Sequence, residues 1–253
     1  MMADMDDRAV ARALIACLDL TNLNDDCTEA DVAALCERAV TPEGKVAAIC
    51  IWPRFVAFAK PRLDSAIRIA TVVNFPHGGD DVEATKRETH AAVADGADEI
   101  DLVIAYRRLR DVDFVEAQVR EVKAAAGTAR LKTILETGEI GDPMLIRHAA
   151  EAALRGGADF LKTSTGKTRI SATPEAATVL LEAIAGHGGT VGFKPAGGIK
   201  TFEDARGYRD LAERICGAGW AIPERFRIGA SGVLTDLLAV ASGAARDGTR
   251  AGY

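Results

Sequence analysis

Short β-rich runs alternate with amphipathic helical stretches along all 253 residues of the chain, and that alternation is the pattern of a parallel α/β fold. Eight runs qualify as strands: near Ile15 to Leu18, Val46 to Ile51, Ile67 to Val73, Ile100 to Ile104, Leu131 to Leu135, Phe160 to Thr163, Val191 to Lys194 and Phe226 to Ile228. Their starts recur roughly every 20 to 35 residues. Eight such units in about 250 residues match the usual size of a (β/α)8, or TIM, barrel. A doubly wound open sheet is the alternative. It normally carries a GxGxxG turn after its first strand, whereas the segment after Leu18 reads DLTNLNDDCT.

Helix punctuation supports the alternation. Thr28 and Asp31 form a capping-box pattern before a helical stretch, and Thr173-Pro174-Glu175 supplies a cap, a first-turn proline and an acid. Gly96 and Gly156 stand where helices would stop. A chain of this length buries about three quarters of its unfolded surface, so one domain over residues 1–253 needs no disulfide or metal to hold it. The end, SGAARDGTRAGY, is small and polar and reads as a short mobile tail.

The net charge of −6 at neutral pH argues against a nonspecific nucleic-acid surface or a membrane surface, both of which need a basic patch. The acidic start MMADMDDRAV has neither the basic stretch nor the apolar core of a signal peptide, so a cytoplasmic location is expected. Five cysteines, at 17, 27, 36, 50 and 216, are scattered without ligand spacing, and the four histidines form no ligand pair. No metal and no cofactor are expected.

In a barrel the functional side chains gather at the carboxyl ends of the strands. Asp19, Cys50, Asn74, Asp101, Lys132, Glu136, Lys162 and Lys194 all fall at or near those ends. Only 9 of the 31 basic residues are lysines, yet Lys132, Lys162, Lys167 and Lys194 occupy strand ends or the loops just after. Arginine stays protonated in proteins, whereas a lysine can become a free amine. Its ordinary pKa of about 10.4 falls when it is desolvated or set beside a second cation. Lys162, in ADFLKTSTGK, and Lys194, in TVGFKPAGGIK, each close an apolar run. They suit Schiff-base chemistry on a carbonyl, with one amine attacking and the other supplying the neighbouring charge. Such chemistry needs a carboxylate to move protons, and Asp101 inside EIDLVIAY is the candidate. Cys50 reads as a small core residue, since no histidine is placed to activate it. The glycine-rich turns STGK, GGIK and GASG would expose backbone N–H groups to a phosphate, and Ser231 and Gly232 would open the last helix there.

The strings DLTNLNDD, AAICIWPRF, TVVNFPHG, GADEIDLV, LKTILETGE, GADFLKTSTGK, VGFKPAGGIK and IGAS come in the order and at the intervals of the deoxyribose-phosphate aldolase family, which the chain resembles over nearly its whole length. That resemblance implies a metal-free class I aldolase that reversibly cleaves 2-deoxy-D-ribose 5-phosphate to acetaldehyde and D-glyceraldehyde 3-phosphate. Lys162 matches the family's Schiff-base lysine, Lys194 the lysine that depresses its pKa, and Asp101 the acid–base carboxylate working through water. Asp19 and Lys132 match members of the supporting polar network. Gly166, Lys167, Gly197, Gly198, Ser231 and Gly232 would hold the phosphate, with Thr21 and Cys50 in the pocket. Some relatives carry a second serine where this chain has Gly232. The terminal Tyr253 matches a tyrosine that the family folds over the site for proton transfer, and a homodimer is implied. Two other readings are an aldolase for another phosphorylated sugar or keto acid and a non-catalytic barrel that binds a sugar phosphate.

Overall fold

The computed structural model describes residues 6–188 and 190–244. Eight parallel strands form one sheet: β1 (Leu18–Asn22), β2 (Ala48–Ile51), β3 (Arg68–Val73), β4 (Glu99–Val103), β5 (Arg130–Ile134), β6 (Phe160–Lys162), β7 (Gly192–Lys194) and β8 (Ile228–Ala230). Neighbours in sequence are neighbours in the sheet, and β8 returns to pair with β1. Backbone bonds from Phe193 N to Arg225 O (2.7 Å), Arg227 N to Phe193 O (3.0 Å) and Gly229 N to Pro195 O (2.9 Å) join the last two strands. The sheet thereby closes into the (β/α)8 barrel that the alternation predicts.

Side chains alternate across the wall with the strand's period of two. Leu18, Leu20, Ile49, Ile51, Ile69, Ile100, Leu102, Leu131, Leu161 and Phe193 belong to the large core between strands and helices. The intervening residues face inward, where Ala48, Cys50, Ala70 and Val72 make a small separate cluster. Beside them the inner face carries Asp19, Glu99, Asp101, Lys132, Lys162 and Lys194, all buried. The apparent anomaly of an acid inside EIDLV is therefore periodicity: Ile100 and Leu102 enter the outer core while Glu99 and Asp101 enter the barrel.

The helix caps form where the sequence puts them. Thr28 accepts from Asp31 N in a complete capping box, and Thr173 caps the helix Pro174–Gly186 with proline in its first turn. Gly156 ends the helix Pro143–Arg155. Arg8 and Arg12 of the first helix, Asp7–Ala16, donate to the carbonyls of Ala241 and Ser242 at the end of the last helix, Val233–Ser242. Cations there complement the helix dipole and tie the two chain-terminal helices together. No helix among the described residues is long and apolar enough to cross a membrane.

Two strand assignments move. Ile15 lies in the first helix, which Asp6 caps, and β1 starts at Leu18. The uninterrupted apolar run ALIACL hides that boundary because both periods fit it. The last strand runs over Ile228–Ala230, because only from Ile228 does it pair with Leu18; Phe226 contributes a lone bridge to Phe193. A two-residue hairpin, Val40–Thr41 with Gly44–Lys45, is additional to the eight runs.

One register position shows how tightly the lower barrel is filled. Gly192 lies directly opposite Phe160, and a Cβ on it would sit 2.3 Å from the Phe160 ring. Gly192→Ala is expected to destabilise the fold by about 1–3 kcal/mol through overpacking, read as a lowered urea midpoint at an unchanged denaturant slope.

Candidate active site

Five strands, β1, β4, β5, β6 and β7, deliver charges to the centre of the barrel. Asp101 of β4 is the hub: its Oδ2 lies 2.8 Å from both Lys162 Nζ and Lys194 Nζ, and its Oδ1 lies 2.8 Å from Lys132 Nζ. Asp19 Oδ2 is 2.6 Å from Lys194 Nζ and 3.2 Å from Lys132 Nζ. Two groups absent from the sequence-derived set complete the network. Glu99 Oε2 is 2.7 Å from Lys132 Nζ, and Arg227 spans Asp19 Oδ1 at 2.7 Å and both Glu99 oxygens at 3.0 and 2.9 Å. Period two is the signal that finds Glu99, which stands two residues before Asp101 on the same face. Arg227 precedes β8 without a comparable marker, since RFRIG reads equally well as a surface turn.

The enclosed groups nearly neutralise one another. Asp19, Glu99 and Asp101 are three carboxylates; Lys132, Lys194 and Arg227 are three cations. Burial opposes ionisation of each, but the surrounding opposite charges win: the carboxyls are held below their usual range, and Lys132, Lys194 and Arg227 are held above theirs. Lys162 is the fourth cation in this count, and its protonation leaves an excess positive charge where water is scarce. Its pKa is accordingly lowered, first by burial and also by the Lys194 ammonium, with Asp101 opposing both.

Above this network opens a cavity of about 550 Å³. Of the three buried lysines at the hub, Lys162 alone lines it. Thr21, Gly166, Lys167, Gly197, Gly198, Ser231 and Gly232 also line the wall, together with Thr165, Ala196 and Lys200, which the motif reading did not single out. The site residues thus divide into two tiers. Asp19, Asp101, Lys132 and Lys194 lie beneath the floor, and the glycine-rich turns form the far wall. Gly166, Gly197 and Gly198 have φ of +80°, +83° and +81°, a region that glycine enters without strain. The helix Val233–Ser242 is preceded at its N-cap by Gly232 without a side-chain cap, and Ser231 and Gly232 line this wall at the helix start. Lys167 Nζ sits at the rim, 3.1 Å from Asp25 Oδ1.

Two residues stand apart. Cys50 is fully buried, lies outside the cavity lining, and has its thiol pKa raised by burial. Asn74 braces the exit of β3, donating through Nδ2 to Gly79 O (2.8 Å) and Val103 O (2.9 Å). Tyr253 and the tail before it lie outside the described residues.

A family model described as DeoC/LacD family aldolase matches residues 13–237. A curated relative, deoxyribose-phosphate aldolase of Agrobacterium fabrum (strain C58 / ATCC 33970), is 53% identical over 253 aligned residues, covering 97% of each chain. Among solved structures, the apo form of a protein assigned as a deoxyribose-phosphate aldolase from Toxoplasma gondii ME49 superposes with a TM-score of 0.85 at 28% identity, covering 94% of this chain and 97% of that one. The deoxyribose phosphate aldolase of Aeropyrum pernix, at 24% identity, has a TM-score of 0.73 over 94% of this chain and 97% of its own, a likeness of fold.

The charge network carries its own test. Arg227→Met removes one of the two buried cations that Asp19 and Glu99 share, Lys132 being the other, and breaking a buried pair of this kind costs about 3–5 kcal/mol. Urea unfolding monitored by circular dichroism is expected to show a loss of that size at neutral pH.

Proposed function

The chain belongs to the DeoC/LacD family of aldolases and its activity is that of a deoxyribose-phosphate aldolase; from that premise we propose that Lys162 forms the Schiff base through which 2-deoxy-D-ribose 5-phosphate is reversibly cleaved to D-glyceraldehyde 3-phosphate and acetaldehyde. One observation supports Lys162 above the other lysines: it is the buried lysine that both opens to the cavity and is pushed toward its neutral form. Lys132 and Lys194 are pushed the other way.

The steps then follow. The neutral Lys162 amine adds to the C1 aldehyde of the open-chain sugar, and loss of water gives an iminium. Removal of the C3 hydroxyl proton sends its electrons into a C3 carbonyl; the C2–C3 bond breaks, and the pair released neutralises the iminium as an enamine. Protonation at C2 and hydrolysis return acetaldehyde and the free amine. Asp101, 2.8 Å from Lys162 Nζ, is the proton carrier for the carbinolamine steps, working through a water. Lys194 keeps the ammonium form of Lys162 unfavourable, while Asp19 and Lys132 hold Asp101 and Lys194 in place. The turns carrying Gly166, Lys167, Gly197, Gly198, Ser231 and Gly232 take the 5-phosphate, and Thr21 borders the reacting end. Without a serine hydroxyl at position 232, the contact there is a backbone N–H. Tyr253 is a proton donor to the enamine in this scheme.

Borohydride added with 2-deoxyribose 5-phosphate in the presence of EDTA is expected to fix a reduced two-carbon adduct on Lys162, located by peptide mass spectrometry. Full labelling of a Lys162→Ala variant would contradict the assignment.

The pH profile tests the electrostatics. The amine must be neutral to attack, so kcat/KM rises with pH through the Lys162 limb, which lies below the ordinary lysine value. Lys194→Met removes a repelling cation and frees Asp101 to favour the ammonium; both effects move the limb to higher pH. Below the limb, each pH unit of displacement means about tenfold less neutral amine. A limb that stays in place would refute the role given to Lys194.

A further inference from the structure

Glu136 is a buried carboxylate that the chemistry of Lys162 does not use. It follows β5 by two residues. Leu135 N donates to Lys162 O (3.0 Å) and Thr137 N to Thr163 O (2.9 Å), so the exits of β5 and β6 stay paired on both sides of it. Between those two bonds Glu136 takes a left-handed conformation, φ 56° and ψ 54°, uncommon for a residue other than glycine. Its carboxylate is directed at the loop after Lys162. Oε2 accepts from Thr165 Oγ1 at 2.5 Å, both oxygens accept from Thr165 N at 3.3 Å, and Oε1 lies 3.3 Å from Thr168 Oγ1, whose single proton also has Ile170 O at 3.0 Å. Among the described residues it forms no ion pair.

We propose that Glu136 is a positioning residue for anion binding: it orients Thr165 and thereby the turn Gly166–Lys167, and so sets the affinity for the substrate's phosphate. The direction of the hydrogen bonds carries this. Thr165 gives its hydroxyl proton to Glu136, which leaves the oxygen to accept from Lys167 N at 3.0 Å. A carboxylate is required because every group facing it is a donor. A glutamine offers one acceptor oxygen and turns an NH2 toward hydroxyl and N–H groups. The turn so held also meets the next one: a Cβ on Gly197 would lie 3.3 Å from Gly166 Cα. On the other side, a Cβ on Gly138, two residues after Glu136, would come within 2.1 Å of Ile170 O, so the loops after β5 and β6 approach as backbone against backbone.

This inference rests on the reading that the glycine-rich wall takes the phosphate, and the experiment separates the two. The wild-type protein and Glu136→Gln are compared with 2-deoxyribose 5-phosphate, with unphosphorylated 2-deoxyribose, and with inorganic phosphate as a competitive inhibitor. Loss of a hydrogen bond to a charged group corresponds to about tenfold or more in affinity. The expected result in Glu136→Gln is a rise of that size in KM for the phosphorylated sugar and in the phosphate inhibition constant, with kcat/KM for 2-deoxyribose held within about twofold of wild type, a change smaller than one such bond. Thr165→Val should reproduce the weakened phosphate inhibition and Thr165→Ser should restore it, which keeps the test sound if Glu136→Gln does not fold. Equal loss on both sugars, or unchanged phosphate inhibition in Glu136→Gln and Thr165→Val, overturns the role of Glu136. A wild-type protein that neither prefers the phosphorylated sugar nor is inhibited by phosphate overturns the phosphate-wall reading, and this inference with it.

Discussion

The structure turns on a set of charges enclosed where charges are costly. Three carboxylates and three cations meet within the barrel at distances of 2.6 to 3.2 Å, and each is held in its ionised form by the others. Removing water from any one of them alone would drive it neutral. Because the six balance, the group that tips the sum is Lys162, and a lysine is able to shed its proton at modest cost. The activation of the amine is therefore a property of the whole network. Burial makes the excess charge expensive, the Lys194 ammonium adds to that, and Asp101 tempers it.

The barrel wall is what brings these groups together. A parallel strand buried on both sides normally reads as one apolar run, and β4 departs from that with Glu99 and Asp101 in EIDLV. Its register sets Asp101 beside Lys132 of β5, and the register of β6 and β7 sets Lys162 beside Lys194. Small inner residues on β2 and β3, Ala48, Cys50 and Ala70, leave the space that the long lysine side chains cross. Gly229 does the same on β8, where a Cβ would press on Lys194 Cε at 3.0 Å and Ala196 Cβ at 2.9 Å.

Much of this was legible in the residues, and the exceptions have physical causes. The eight strands are readable because each is a short apolar run set off by helix caps and glycines, and seven of the eight lie within two residues of their observed bounds. The first and last shifted because ALIACL fits both a helix and a strand, and because Phe226 bridges to β7 before β8 begins to pair with β1. Lys162, Lys194, Asp101, Lys132 and Asp19 were legible as polar residues in apolar strands. Glu99 is marked by the same alternation as Asp101, two residues earlier on the same face. Arg227 could not be read at all, since its partners stand 128 and 208 residues away in the sequence. Contacts of that range are set by barrel closure, which no local pattern records.

The two tiers of the site answer different physical demands, and this explains how they are built. On the proposed reading the floor keeps one amine neutral, and it is buried and composed of side chains on strands, where the period-two wall fixes direction. The far wall, which on the proposed reading takes the phosphate, is built of glycine turns at the exits of β6, β7 and β8, with Lys167 at the rim. Turns bend more easily than strands, and positive φ at Gly166, Gly197 and Gly198 supplies the shape without fixing the position. Position has to come from a neighbour. On the inference drawn for Glu136, a buried acceptor in an uncommon conformation, hydrogen-bonded to donors of the adjacent loop, supplies it from one side, while the strand that ends in Lys162 supplies it from the other. On the proposed reading the same loop begins at the Schiff-base lysine and ends at the phosphate wall, so its geometry would set the distance between the carbon attacked and the phosphate.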